Sequence, residues 1–549
     1  MDPVFDDVAY LLDGLQRLNV LDTAGFHALC NSFVQSPPHS PWSTLLAFIA
    51  FALMGVHDWA PYILNGFLVF FLLLLAWDLV GLKNDWARAA IPLVVLLLQL
   101  PFQAVLEFRP DFAVALFTAA FALLLIKMAC YGDDGSTQLR NHFCVGLLAG
   151  LAYLAKPTFF PHTTVMLFAA IALAEISRWQ VGRYGLNLNS ENAAATERRP
   201  PEILRFEPNP TTLEPRRLLH LWRAVLRHRR GDPEGSPSSI PNLVARVLAT
   251  LAGAGLVAGP YFILSWRRIL EYVLTNTGTG KDAAIWRVPG GFGAALSSRL
   301  WGYPTYLMLG PFAGVFAIWL VLGFCFVSAR RNRPAMFFIL SGAALAAISV
   351  LVISAGAMVD PHFSFSWEIL FVLTTLFAVA AITKTERASF LGIAFCAMAL
   401  FTFYKAPPTL NIWTVFEDTA RGRSLNEAIV RQIATHAAGN FRGRSPVIYS
   451  TFMGKVNAAS QSWLASKGNL NLIFRDLHRS GDIEEHMAAI QAANFVEIAD
   501  PASQWLDRWL PSAPLQSALL EKLRALQGFR ELSPVPGKEG TVFLFEKVR

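Results

Sequence analysis

Long apolar runs, separated by short charged or proline-containing turns, organise the first 404 residues. A helix needs about 20 mostly apolar residues to cross roughly 30 Å of hydrocarbon. Ten stretches approach that pattern: 61–80, 87–106, 110–130, 142–155, 157–177, 241–266, 303–328, 335–356, 364–383 and 388–404. The pattern breaks at Lys156-Pro157, because proline removes a backbone donor and disfavours helix just before itself. Two short spans there, rather than one kinked span, fit the distribution of charge. Residues 41–57 are apolar but short, and read as interfacial or re-entrant.

From residue 405 the pattern changes to short β-like runs alternating with helical ones. Residues 446–449, 470–474, 495–498 and 540–545 read as strands, and 454–467, 481–493 and 514–527 as helices. Such alternation predicts a small α/β domain. The expected fold is therefore a polytopic α-helical membrane protein of about ten spans over 1–404, with a C-terminal soluble α/β domain over 405–549.

Composition sharpens this picture. The 549 residues are 54% hydrophobic and 15% charged, against about 25% charged in an ordinary soluble protein. The net charge of +7 sits mainly at the edges of apolar runs, which points to membrane topology rather than nucleic acid. The five cysteines include no CxxC pair, so neither a disulfide framework nor a cysteine zinc site is indicated.

Loops rich in Lys and Arg favour the cytosol. The 178–240 stretch, Arg330 to Arg333 and Lys384 to Arg387 all become cytosolic under one alternating assignment. That assignment places 1–60, the 107–110 turn, the 267–302 loop, the 357–363 turn and the C-terminal domain outside the cell membrane. The start of the chain is acidic and does not read as a signal peptide.

Candidate chemistry gathers at the turns placed outside. Asp6 and Asp7 precede an apolar helical pattern, which fits acidic first-turn residues at a helix start or a general base. Glu107, Arg109 and Asp111 surround Pro110. A helix start explains Pro110 and Asp111, but not three charges at a membrane boundary, where charge is costly unless paired or functional. Lys156 either snorkels to the headgroups or faces a polar cavity. Arg267 and Arg268 lie on the side where basic residues are disfavoured, and read as headgroup contacts or as a phosphate clamp. Asp360-Pro361-His362 reads as a helix start or a catalytic turn. The glycine-rich run from Pro289 to Gly293 is a loop and not a dinucleotide fingerprint.

Taken together, these elements resemble the C-type polytopic glycosyltransferases (GT-C), within them the RgtA/B/C/D-like branch related to protein O-mannosyltransferases and aminoarabinose transferases. The resemblance rests on Asp6, Asp7 and Tyr10 before Pro-Pro-His-Ser-Pro-Trp at 37–42, then Arg109-Pro110-Asp111, then Ala155-Lys156-Pro157. It covers about residues 1–400. It implies an inverting enzyme that transfers a hexosyl or pentosyl group from a polyprenyl-phosphate carrier to a glycan, lipid or protein acceptor. The reaction would occur at the outer face of the inner membrane, in cell-envelope or lipopolysaccharide synthesis.

By that resemblance Asp6 is the expected base, with Asp7 second and Asp111 orienting the acceptor or a metal. Arg267, Arg268 and Lys156 are the expected phosphate contacts, with Glu107, Arg109 and His362 completing the substrate site. No cofactor is required by the sequence, and a divalent cation is the one left open. Relatives carry a span before the acidic element, so a further apolar stretch of about 20 residues is expected upstream of Met1. Competing readings are a transporter or flippase for lipid-linked sugars, and a noncatalytic membrane scaffold.

Overall fold

The computed structural model describes residues 6–81, 85–98, 101–102, 107–132, 138–185, 240–277, 287–288, 290–300, 309, 312–356, 361–383, 389–405, 412–441, 445–506, 508, 510–538 and 540–548. Most of the basic 178–240 loop, Pro289, Asp360 and the 384–388 turn lie outside these residues.

Two helices, α1 (Asp6–Gln35) and α2 (Pro41–Met54), pair before the first long span. Gly25, at φ 81°, kinks α1. Ser40 caps α2 by accepting from the Ser43 amide, and Pro41 fills the first helical position, where its missing donor costs nothing. The membrane bundle then runs through α3 (Ala60–Val80), α4 (Asp85–Leu93), α5 (Asp111–Tyr131), α6 (Gln138–Ala155) and α7 (Phe160–Gly185). It continues through α8 (Ile240–Thr277), the short α9 (Gly291–Leu300), α10 (Phe312–Ala329), α11 (Arg333–Ala355), α12 (Phe365–Thr383) and α13 (Ser389–Lys405).

Among the described residues seven helical segments are long and apolar enough to cross a membrane, and they match seven of the ten expected stretches. Of the other three, two form shorter helices, and α6, as long as α10, opens on the polar residues Gln138, Arg140, Asn141 and His142. The expected span 87–106 is not continuous: Pro92 lies in α4 and a 3-10 turn over Val94–Leu97 follows it. Proline cannot donate to the helical ladder, so the helix gives way there. Helices α6 and α13 have 18 and 17 residues.

Helices α5 and α12 are buried along nearly their whole length at the centre of the bundle. The peripheral helices instead turn apolar side chains outward. Ile263 on α8 is 77% exposed and Val321 on α10 is 59% exposed. In water such surfaces would drive association; in a bilayer they meet lipid chains.

Helices α6 and α8 touch backbone to backbone. A Cβ added to Gly146 would lie 2.1 Å from the Thr250 carbonyl oxygen, and one on Gly253 2.3 Å from that of Phe143. Small residues allow this approach, which supplies dispersion contact where no hydrophobic effect acts between helices.

The C-terminal part begins with α14 (Ile412–Asn440). It then alternates β1 (Val447–Tyr449), α15 (Ala458–Lys467), β2 (Ile473–Arg475), α16 (Ile483–Ala492) and β3 (Phe495–Ala499). Helix α17 (Gln516–Ala525) and strands β4 (Phe529–Glu531), β5 (Val535–Gly537) and β6 (Gly540–Lys547) complete it. The sheet order is β2-β1-β3-β6-β4, with β5 also on β6. The first three strands are parallel, joined by the crossover helices α15 and α16, and β6 runs antiparallel to β3. Strands β4 and β5 lack the apolar run that marks β1 and β2 in the sequence.

Candidate active site

The turns at one end of the bundle converge. The N-terminus of α1, the start of α3, the 107–111 turn, the α6–α7 break and the 361–364 turn meet there. The C-terminal domain covers the same end.

Asp7 is buried at the start of α1, within a cluster formed by Val8, Leu11, Tyr62 and Phe108. The Tyr62 hydroxyl donates to Asp7 Oδ2 at 2.8 Å. Burial, and then the neighbouring Glu107 carboxylate, push the Asp7 carboxyl up to about 7, against the Phe108 amide, Arg109 and Tyr62. Desolvation penalises the charged form, and a like charge adds to the penalty. At neutral pH about half of such a group is ionised.

Glu107 Oε2 lies 2.7 Å from His362 Nε2 and 3.3 Å from Arg109 Nε. Arg109 Nη1 lies 3.2 Å from His362 Nδ1. Burial pushes the Glu107 carboxyl up, but His362, Arg109 and Lys455 together outweigh it and hold it below its usual range. The Asn65 amide donates to the Glu107 carbonyl at 3.3 Å and fixes the turn from one helical turn beyond Tyr62.

Beside this group, Lys156 Nζ meets Asp111 Oδ1 at 2.5 Å. Lys156 has left the helical region, at φ −141° and ψ 85°, as the following proline requires. Its ammonium stands 4.4 Å from the centre of the Phe363 ring, next to His362. The Ser40 hydroxyl donates to the Ala155 carbonyl at 2.6 Å, tying the α1–α2 connection to this break.

Six residues singled out from the sequence are thus brought together: Asp7, Glu107, Arg109, Asp111, Lys156 and His362. Asp6 is the first helical residue of α1, and its side chain lies outside the described ones. Arg267 and Arg268 do not join the group. Both are exposed on α8, and Arg267 lies 5.6 Å from the centre of the Trp266 ring. The helix continues past the expected end of its span to Thr277, which carries both arginines along its outer surface instead of folding them inward. Among the described residues no three or more His, Cys, Asp or Glu side chains are placed to hold a metal ion.

Sequence reasoning missed Tyr62 and Asn65. They are the polar residues of an otherwise apolar helix start and lie three apart, on one face. That spacing was the available signal. Lys455 carried no local signal, because its place depends on how the C-terminal domain docks.

No protein-family model and no curated protein sequence matches the chain. Two solved structures are similar to it. They are crystal structures of ArnT from Cupriavidus metallidurans, one in the apo state and one bound to undecaprenyl phosphate. Each is 13% identical, with 99% of this chain and 94% of that chain covered, at TM-scores of 0.48 and 0.47 respectively. The likeness is one of overall arrangement, at an identity too low to carry residue roles from one chain to the other.

Proposed function

We propose that the protein is a GT-C-type glycosyltransferase that moves a sugar from a polyprenyl-phosphate carrier to an acceptor hydroxyl at the outer membrane face, with inversion. The observation that carries this reading is Asp7: a buried carboxyl poised near neutrality, beside a turn rich in cations. Arg109, Lys156 and Lys455 set three basic side chains against the two carboxyl groups of Glu107 and Asp111. Asp7 adds only part of a charge. Such an excess suits an anionic leaving group. The outer-face assignment is supported by the Arg330 to Arg333 turn, which lies at the opposite end of the bundle and is expected in the cytosol.

In this reading ionised Asp7 takes the proton of the acceptor hydroxyl. The acceptor oxygen attacks the anomeric carbon from the side opposite the phosphate. The bond from that carbon to the phosphate oxygen breaks, and the pair leaves with the lipid phosphate, which the cations hold. A base is most effective when its pKa lies near the working pH, and Asp7 meets that condition. Asp7 therefore replaces Asp6 as the preferred base. The cations at this turn, rather than Arg267 and Arg268, are the preferred phosphate contacts.

The test is the rate of sugar transfer from a polyprenyl-phosphate sugar in membranes carrying Asp7→Asn. The expected loss is about 10²–10⁴-fold, with the protein still inserted. Full activity in Asp7→Asn, or an equal loss confined to Asp6→Asn, would reject Asp7 as the base.

A further inference from the structure

One carboxylate of the membrane bundle gathers several donors from the C-terminal domain. Asp58, between α2 and α3, is buried and receives three donors from that domain. Arg423 Nη1 lies at 3.0 Å, Trp463 Nε1 at 3.0 Å and Lys467 Nζ at 2.8 Å. These come from α14 and α15, so two elements of the domain are held at one point. The Trp463 ring is 5.8 Å from that of Phe51 on α2, nearly parallel to it. Trp463 belongs to the same apolar cluster as Val8, Leu11, Tyr62 and Phe108, the residues that enclose Asp7. The domain thus forms one wall of the site.

From that wall the tight loop between β1 and α15 presents Lys455. Met453 and Val456 exchange backbone hydrogen bonds at 2.8 and 2.9 Å, leaving Lys455 at the tip of a closed turn. Gly454 takes φ +55°, which glycine adopts at little cost. Helix α14 holds the turn from behind. Asn426 Nδ2 donates to the Lys455 carbonyl at 2.9 Å, and a Cβ at Gly422 would lie 2.4 Å from that of Lys455. Asn457 caps α15 immediately afterwards. The half-buried ammonium is therefore placed by a rigid loop, and its field reaches Glu107.

We propose that Lys455 is a phosphate-binding residue, delivered by the C-terminal domain to the site in the membrane bundle. The bundle's own cations at that end are already engaged: Arg109 with Glu107 and His362, and Lys156 with Asp111. Lys455 brings the positive charge in excess of those pairs. This rests on the transferase reading only in the choice of ligand, a lipid-linked phosphate.

The experiment measures binding to the full-length protein in detergent, with undecaprenyl phosphate as probe and undecaprenol as its uncharged control. Lys455→Met, which keeps the stem and removes the charge, is expected to bind the phosphate lipid about tenfold more weakly and undecaprenol unchanged. Lys455→Arg should stay within about twofold of the parent, and so should Arg431→Met on the exposed side of α14. Undiminished binding of the phosphate lipid by Lys455→Met would overturn the proposal while leaving the transferase reading intact. An equal loss of undecaprenol binding would also overturn it, since charge would not be the cause. A parent protein with no preference for the phosphate lipid would sink both.

Discussion

The two ends of the helical bundle hold polar clusters of different kinds. At the end away from the C-terminal domain, Glu175 on α7 is gripped by Arg246 of α8 through Nε at 3.0 Å and Nη2 at 2.7 Å. Arg178 also pairs with it, and Thr250, one turn after Arg246, donates to the Arg246 carbonyl at 3.0 Å. Both carboxylate oxygens are satisfied, and the pairing joins two long helices. Asp78 and Lys127 form a second such pair, between α3 and α5, at 2.7 Å. At the other end the charges come from loops and helix starts, and Asp7 is held close to half ionisation. The first cluster ties long helices to one another. The second gathers a half-ionised carboxyl and several cations from different turns, the arrangement the proposed reaction needs.

The comparison predicts opposite behaviour under mutation. The largest effect is expected at Asp7→Asn. Besides the loss of rate, this variant should be no less stable than the parent above pH 7. The folded-state pKa is raised above the ordinary carboxylate value, so stability falls as pH rises through that interval towards 7, and a neutral isostere avoids the loss. Thermal unfolding in detergent at pH 8 measures it, and a clear drop would make Asp7 a structural residue.

Glu175→Ala is the converse. It leaves Arg246, with a side chain only 3% exposed, without its partner. Removing one member of a buried pair costs about 3–5 kcal/mol, which should appear as reduced accumulation in the membrane and a lower unfolding temperature. The transfer rate per folded molecule should not change. Arg267→Ala should show the smallest effect, within about twofold in transfer rate and with little change in stability, because an exposed arginine outside the cluster contributes little to either. A tenfold loss there would return α8 to the site.

Much of the fold was legible because both kinds of element leave periodic traces. Apolar runs gave the bundle, and the alternation after residue 405 gave the parallel strands β1 to β3. The break at Lys156-Pro157 was readable from proline chemistry alone. What could not be read were the features set by tertiary docking. Pro92 divides an apolar run that hydropathy counts as one span. Arg267 and Arg268 looked misplaced in charge terms, yet α8 simply continues with both on its exposed surface. Asp6 and Asp7 are adjacent and alike in sequence. The packing of α1 against Tyr62 and Phe108 shows Asp7 drawn inward, while the Asp6 side chain lies outside the described ones. Lys455 and Asp58, nearly 400 positions apart, become neighbours of one site only when the C-terminal domain docks.

The central claim is that Asp7 serves as the base of an active site at this end of the bundle. Its most direct test is the pH dependence of the transfer rate in the parent and in Tyr62→Phe, from pH 5 to 9. In the parent the rate should rise with pH through a midpoint near 7, as Asp7 loses its proton. The Tyr62 hydroxyl stabilises the ionised carboxylate and holds its pKa down. Removing that hydroxyl should raise the midpoint, so that Tyr62→Phe is slow at pH 6.5 and recovers most of its rate by pH 9. A flat profile in the parent, or the same midpoint in both proteins, would contradict the assignment.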